Sequence, residues 1–84
     1  MKSTVTIFGR PGCHLCDEAW ERVSELTAGS DVAIEKVDIE GDDELHKRFL
    51  EKIPVVEVDG RQVAELGQYR RPAFADALEE ALSE

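Results

Sequence analysis

Cysteine, proline and long apolar runs are all scarce in this sequence. Its 84 residues include two cysteines and three prolines, and no stretch approaches the roughly 20 apolar residues that a membrane-spanning helix needs. A small secreted domain held together by disulfides would carry four or more cysteines, so that class is excluded. The N-terminal residues lack the long apolar segment and the small-residue cleavage site of a signal peptide, and we therefore expect a cytoplasmic protein.

Positive charge is also in short supply. Lys and Arg number 10 against 19 Asp and Glu, which gives a net charge of −9. Binding to a nucleic-acid backbone or to an anionic membrane surface requires a basic patch, so we expect neither as a partner. Such a charge mainly keeps a small protein soluble and monomeric, and it would also steer basic partners toward the chain.

Hydrophobic residues, in contrast, make up 42% of the sequence, which is enough for one core. We therefore expect a single domain spanning residues 1–84. Alternating β-branched residues predict strands over residues 4–8 and 32–39. The tight-turn pair Asp59-Gly60 predicts a hairpin of two further strands, over residues 55–58 and 61–66.

Three helices are predicted between and after these strands. The first begins at Cys13 and ends near Gly29, and the second is a short helix capped by Asp42 and ended by residues 52–54. The third begins at Pro72, a residue suited to a first helical turn. The order β-α-β-α-β-β-α predicts an α/β fold in which three helices flank a four-stranded mixed sheet, with the first two strands parallel.

Cys13 and Cys16 lie where the first strand gives way to the first helix. A bridge that closes so small a loop stabilises a fold by only roughly 2 kcal/mol, so the pair calls for a chemical explanation. Unpaired N–H groups and the dipole at a helix N-terminus favour an anion, which makes Cys13 the more acidic thiol and the attacking nucleophile. Cys16, one turn further into the apolar stripe, would resolve the mixed disulfide.

Charged neighbours act on Cys13 in both directions. Arg10, and His14 when protonated, would stabilise a thiolate at Cys13, whereas Asp17 and Glu18 would oppose it. Their relative weight depends on distances that a sequence does not supply.

A second interpretation is a binding module whose cysteines hold a metal or are not catalytic. A CxxC pair is also half of a zinc site, but zinc usually takes four N or S ligands, and the other candidates here are His14 and His46. The module would present the Cys13 loop and the Ile53-Pro54 edge to a partner. A CxxC pair that opens the helix of a βαβ unit is more typical of redox chemistry.

Two segments resemble the small glutaredoxin-like proteins of the thioredoxin superfamily. Residues 9–19 read Gly-Arg-Pro-Gly-Cys-His-Leu-Cys-Asp-Glu-Ala, and residues 52–56 read Lys-Ile-Pro-Val-Val, followed by Val-Asp-Gly over residues 58–60. The resemblance covers nearly the whole chain and agrees with the predicted order of elements. It implies a thioredoxin-like (glutaredoxin-like) fold and a thiol–disulfide oxidoreductase acting on protein disulfides or on low-molecular-weight mixed disulfides.

The resemblance also implies which groups contact the substrate. The Ile53–Pro54 peptide is expected to be cis and to face the cysteines, and the backbone beside it to pair with an extended substrate chain. The substrate-binding residues implied are Arg10, Pro11, Gly12, His14, Leu15, Ile53 and Pro54. No bound cofactor is expected, and the electrons would come from glutathione, another low-molecular-weight thiol or a reductase.

The sequence departs from the glutaredoxin pattern in two places. His14-Leu15 stands between the cysteines where glutaredoxins often have Pro-Tyr. Residues 63–69 lack the Gly-Gly motif, followed by a polar residue and Asp, that helps glutaredoxins to hold glutathione. The identity of the reductant therefore stays open. Among the remaining residues, Trp20 and Phe74 are predicted to be core residues, and Tyr69 is expected to pack at the end of the hairpin instead of lining the substrate groove.

Overall fold

Four strands form one mixed sheet, and three helices cover it. The computed structural model describes residues 3–83. The strands are β1 (Ser3–Gly9), β2 (Val32–Asp38), β3 (Val55–Val58) and β4 (Arg61–Ala64); the helices are α1 (His14–Thr27), α2 (Asp43–Phe49) and α3 (Pro72–Ser83); 3-10 helices span Ile39–Gly41 and Leu66–Arg70. Among these elements no helix is both long and apolar enough to cross a membrane.

The sheet has the strand order β2-β1-β3-β4. β1 runs parallel to β2 and antiparallel to β3, and β3 and β4 form an antiparallel hairpin. The predicted α/β class, the element order and the parallel first pair are confirmed. The hairpin turns at Asp59-Gly60, as its turn sequence predicts.

Alternation along β1 places a core on each face of the sheet. Val5 and Ile7 point into the larger cluster, which α1 and α3 cover, whereas Phe8 points to the opposite face, where α2 packs. The larger cluster also takes in Tyr69 and Phe74, both buried, with Trp20 partly buried against it, so the predicted packing of the three aromatic residues is confirmed. The smaller cluster consists of Cys16, Ile39, Phe49, Ile53 and Val55, with Phe8, Cys13 and Leu45 partly buried against it.

Two predicted boundaries of the parallel pair are wrong. β1 extends to Gly9, because that residue pairs in register with Asp38 of β2. β2 ends at Asp38 and leaves Ile39 out, because the Asp38 side chain accepts a hydrogen bond from the N–H of Glu40 at 2.9 Å. That side-chain bond starts the 3-10 helix that follows.

The second helix and the last strand are both shorter than predicted. Asp42 caps α2 as predicted, accepting hydrogen bonds from the N–H groups of Glu44 and Leu45 at 2.9 and 3.1 Å. The helix ends at Phe49, several residues ahead of the proline. β4 ends at Ala64, because residue 65 already caps the second 3-10 helix.

Candidate active site

A tight turn carries the chain from β1 into α1. The N–H of Cys13 donates to the carbonyl of Arg10 at 3.3 Å, which closes a four-residue turn. Pro11 is its second residue, and Gly12, its third, has a φ of 79°. A type II turn has this pattern, since its third residue needs a positive φ that glycine adopts without strain. The turn delivers Cys13 directly to the start of the helix.

Cys13 is the N-cap of α1. Its backbone is extended, with φ −88° and ψ 108°, and its carbonyl accepts the N–H of Asp17 at 3.2 Å. Its sulfur accepts the N–H of Cys16 at 3.1 Å, so it takes the place of the oxygen that usually caps a helix. The same N–H group would stabilise negative charge on this sulfur once the sulfur is released as a thiolate.

Cys13 and Cys16 are joined by a disulfide, with their Cα atoms 5.2 Å apart. The two residues are unequally accessible: Cys13 is half-buried, whereas Cys16 is only 7% exposed. A two-step exchange needs this difference in access, because one thiol must reach the substrate and the other must react only with the mixed disulfide.

Gly9 makes room for the sulfur of Cys16. A Cβ atom at position 9 would lie 2.8 Å from Cys16 Sγ and 3.0 Å from Cys16 Cβ, closer than side chains normally approach. The strand predicted over residues 4–8 stops one residue short of this glycine. An isolated glycine at the end of a strand pattern is a signal of close approach, and this signal could have identified it.

The Ile53–Pro54 peptide is cis, as the resemblance implies. Ile53 packs in the same cluster as the two cysteines, so the structure brings this residue and the disulfide together. The N–H of Ile53 already donates to the carbonyl of Phe49 at 3.0 Å, and proline has no N–H. The Ile53–Pro54 peptide therefore has only its carbonyl oxygen to offer to a substrate backbone.

The other predicted substrate-binding residues fall into two groups. Arg10, Pro11 and Gly12 line a cavity of about 220 Å³ that Cys16 also lines. His14 and Leu15 lie exposed on the first turn of α1 and do not line this cavity.

A hydrogen-bonded cluster of Glu18, Tyr69 and Arg70 joins α1 to the second 3-10 helix. The hydroxyl of Tyr69 donates to Glu18 Oε1 at 3.0 Å, and Arg70 donates to the same oxygen from Nε at 3.1 Å and from Nη2 at 2.7 Å. Glu18, whose negative charge would oppose a thiolate at Cys13, is thus paired with the cation of Arg70. Glu18 and Arg70 are 52 residues apart in the chain, so no local sequence pattern indicates that they are in contact.

The same contacts perturb the ionisation of the cluster. The hydrogen bonds from Arg70, and then from Tyr69, hold the pKa of Glu18 below its usual range. Burial raises the pKa of Tyr69, and the hydrogen bond to Glu18 raises it further. Each shift favours the protonation state that keeps the cluster intact.

Side chains that could bind a metal ion do not cluster in the part of the chain that the structure describes. Across residues 3–83, no set of three or more His, Cys, Asp or Glu side chains is placed to hold an ion.

Residues 4–83 match the glutaredoxin-like domain (DUF836), while no curated protein gives a significant match. The solution structure of protein Ne2328 from Nitrosomonas europaea is similar, with a TM-score of 0.77 and 23% identity over 95% of this chain and 91% of that one.

Two thioredoxins have the same fold. A mutant thioredoxin from Halobacterium salinarum has a TM-score of 0.62 and 23% identity, over 96% of this chain and 72% of its own. The oxidised thioredoxin of Plasmodium falciparum has a TM-score of 0.56 and 19% identity, over 96% and 78%. The predicted thioredoxin-like fold is confirmed.

Proposed function

Because the chain belongs to the family of glutaredoxin-like domains (DUF836), we propose that it is a dithiol thiol–disulfide oxidoreductase. Cys13 attacks and Cys16 resolves. The observation that carries this proposal is the disulfide at the N-terminus of α1, whose outer sulfur already accepts a helix N–H and whose inner sulfur is shielded. A bridge of this kind is poorly suited to structural cross-linking, because its loop is too short to constrain the unfolded chain strongly.

The reaction proceeds in two exchanges. In the reduced protein the Cys13 thiolate attacks one sulfur of a substrate disulfide, and the other substrate sulfur leaves as a thiolate. Cys16 then loses its proton and attacks Cys13 Sγ, which releases the second substrate thiolate and closes the Cys13–Cys16 bridge. Two electrons pass from the protein to the substrate.

The proposed substrates are disulfide-bearing proteins or low-molecular-weight mixed disulfides. An extended substrate chain would lie against the carbonyl of the Ile53–Pro54 peptide and the exposed first turn of α1. A low-molecular-weight thiol or a reductase returns the bridge to the dithiol, and no tightly bound cofactor takes part. We expect the protein to act as a monomer in a reducing cytoplasm.

Serine variants test the two roles. Cys13→Ser removes the attacking sulfur and should abolish exchange with a protein disulfide, whereas Cys16→Ser should accumulate a mixed disulfide through Cys13 that mass spectrometry detects. The wild-type protein treated with dithiothreitol provides the reference rate. Full exchange activity in Cys13→Ser would overturn the proposed function.

The rate of alkylation against pH tests the ionisation of the attacking thiol. In the reduced protein Cys13 should react with an apparent pKa below the ordinary cysteine value of about 8.5, because the helix N–H groups stabilise its thiolate. Cys16 should react slowly. Faster reaction at Cys16 would reverse the assignment of roles.

A further inference from the structure

Leu66, the first residue of the second 3-10 helix, has a backbone conformation that leucine rarely adopts. Its φ is 53°, which lies in the left-handed region, where Cβ comes too close to the following carbonyl oxygen. The other described residues with a positive φ are Asp59 and three glycines, and these residue types accept the region more readily. Leu66 is therefore strained, and backbone strain of this kind concentrates at functional sites.

Core packing does not explain why a leucine occupies this strained position. Leu66 belongs to neither of the two core clusters, and its side chain is 46% exposed. Leu15 and Leu50 are the other exposed large apolar residues of the described chain, at 36% and 38%. A glycine would adopt the same φ without strain and would leave no apolar side chain in solvent.

The backbone of Leu66 is fixed beside the Ile53–Pro54 peptide. Its N–H donates to the carbonyl of Lys52 at 2.9 Å, so Leu66 is hydrogen-bonded to the residue that precedes Ile53. Ile53 in turn packs in the cluster that contains Cys16, with Cys13 partly buried against it. Leu66 therefore lies at the edge of the candidate active site.

The segment that carries Leu66 is also anchored on its other side. The N–H of Glu65 donates to Gln68 Oε1 at 2.9 Å, which fixes the start of the 3-10 helix. Tyr69 and Arg70, at the end of the same helix, donate to Glu18 of α1, the helix that begins at the disulfide. The position of Leu66 relative to the disulfide is thus set by contacts on two sides.

Leu66 offers a substrate only apolar surface. Its side chain has no charge, donor or acceptor, and its N–H is already bonded to Lys52. A small polar disulfide gains little from such a surface. An extended polypeptide that lies against the carbonyl of the Ile53–Pro54 peptide would pass beside Leu66, and an apolar side chain next to its cysteine would be buried there.

We infer that Leu66 is a specificity-determining residue that favours polypeptide disulfides whose cysteine has apolar neighbours. This inference rests on the proposed function and narrows the substrate class of the same site. The chemistry stays as described: Cys13 attacks the substrate sulfur, and Leu66 contacts only the residue beside it. The strained backbone places an apolar side chain where an unstrained glycine would provide no contact.

Two synthetic peptides test the preference. Each carries one cysteine as a mixed disulfide with thionitrobenzoate; leucine stands on both sides of the cysteine in one peptide, and serine in the other. Attack by the dithiothreitol-reduced protein on the peptide sulfur releases coloured thionitrobenzoate. After correction for the rate of each peptide with dithiothreitol alone, the wild-type protein should prefer the leucine peptide about tenfold, since burying part of a leucine contributes roughly that factor. Equal corrected rates overturn the inference.

Substitutions at position 66 test the residue itself. Leu66→Gly and Leu66→Asn both suit a positive φ and remove the apolar side chain. Each should keep a melting temperature close to that of the wild type, while the preference for the leucine peptide disappears. Leu66→Met keeps an apolar side chain and should retain the preference. A preference that survives in Leu66→Gly or Leu66→Asn overturns the inference.

Leu50→Ala is the matched control. Leu50 is exposed to a similar degree, at 38%, and its φ of −49° is unstrained. The substitution should leave the preference between the peptides unchanged. Equal losses at positions 50 and 66 would mean that exposed apolar surface in general sets the preference, which also overturns the inference.

Failure of the inference and failure of the proposed function give different results. The two peptides and hydroxyethyl disulfide, a small polar substrate, are assayed with wild type, Leu66→Gly and Cys13→Ser. The expected result is that Leu66→Gly reduces hydroxyethyl disulfide at the wild-type rate. Exchange that depends on Cys13 but does not distinguish the peptides leaves the function standing and removes the role of Leu66. Wild-type rates no higher than those of Cys13→Ser remove both.

Discussion

At position 9 a single missing methyl group decides how closely β1 approaches the buried sulfur of the disulfide. Gly9 is buried at the end of β1, and its backbone lies against Cys16. The contact joins the last residue of β1 to the first turn of α1, and it is made only when α1 packs onto the sheet. The CxxC spacing therefore predicted the cysteine pair, but not the residue that accommodates its buried sulfur.

Gly9→Ala should destabilise the protein by about 1–3 kcal/mol, the usual cost of forcing an extra carbon into a packed core. Chemical denaturation of the oxidised protein measures the change. Gly67→Ala is the matched control, because a Cβ at position 67 meets nothing within 4 Å. Equal stability of the two variants would show that Cys16 has room to move aside.

Among the secondary-structure elements, α2 is too short to be stable without contacts to the rest of the protein. Helices of its seven residues are marginal in isolation, so it depends on the Asp42 cap and on burial of Phe49. Phe49 packs in the cluster that holds Cys16 and Ile53. By stabilising α2, the Asp42 cap therefore also stabilises the packing around these two residues of the candidate site.

Asp42→Ala removes the acceptor for two helix N–H groups and should cost about 1 kcal/mol of unfolding free energy. The next residue supplies the control: Asp43 lies in the first turn without acting as the cap, so Asp43→Ala should cost less. Denaturant titrations of both variants give the comparison. A larger loss in Asp43→Ala would mean that the helix dipole, not the cap, dominates.

The contact between α1 and the second 3-10 helix should respond to pH. The folded-state pKa of Glu18 lies below its ordinary value of 4.5, so the stabilisation is present above that pH and is lost as the pH falls through the folded-state value. Tyr69 has a folded-state pKa above 10.0, so its contribution is lost as the pH rises through that raised value.

Melting temperatures of wild type and Glu18→Gln should therefore differ at pH 7 and converge as the pH falls below the lowered folded-state pKa of Glu18, where the wild-type carboxylate is protonated. Both partners are partly exposed, at 56% for Arg70 and 47% for Glu18, so the difference should be modest and should shrink in high salt. A difference that persists in acid would indicate a packing effect of the substitution.

Over the whole molecule, the features that could be predicted from the sequence are those that depend on residues close together in the chain. The Asp59-Gly60 turn, the Asp42 cap and the CxxC pair each depend on residues within one turn of chain, and the structure contains all of them. The cis bond followed from family resemblance. The Glu18–Arg70 pair and the cavity wall at Lys36 bring together residues far apart in sequence, and no local pattern encodes them.

The redox state should shift global stability slightly. Opening the Cys13–Cys16 bridge releases a very small loop, so reduction should lower the unfolding free energy by roughly 2 kcal/mol or less. Denaturant titrations with and without dithiothreitol measure this, and a double Cys13→Ser, Cys16→Ser variant should show no response to the reductant. A much larger loss would indicate that reduction disrupts the core around Cys16.

The disulfide belongs to the smaller of the two core clusters, the one that also holds Phe49 of α2. Parts of a protein with fewer buried apolar contacts open locally before the whole chain unfolds. Reduction should therefore speed amide hydrogen exchange in α2 while exchange in α3, on the larger cluster, stays slow. In a cell, this difference would make the oxidised pool the longer-lived one, because proteases cut molecules whose α2 side has opened.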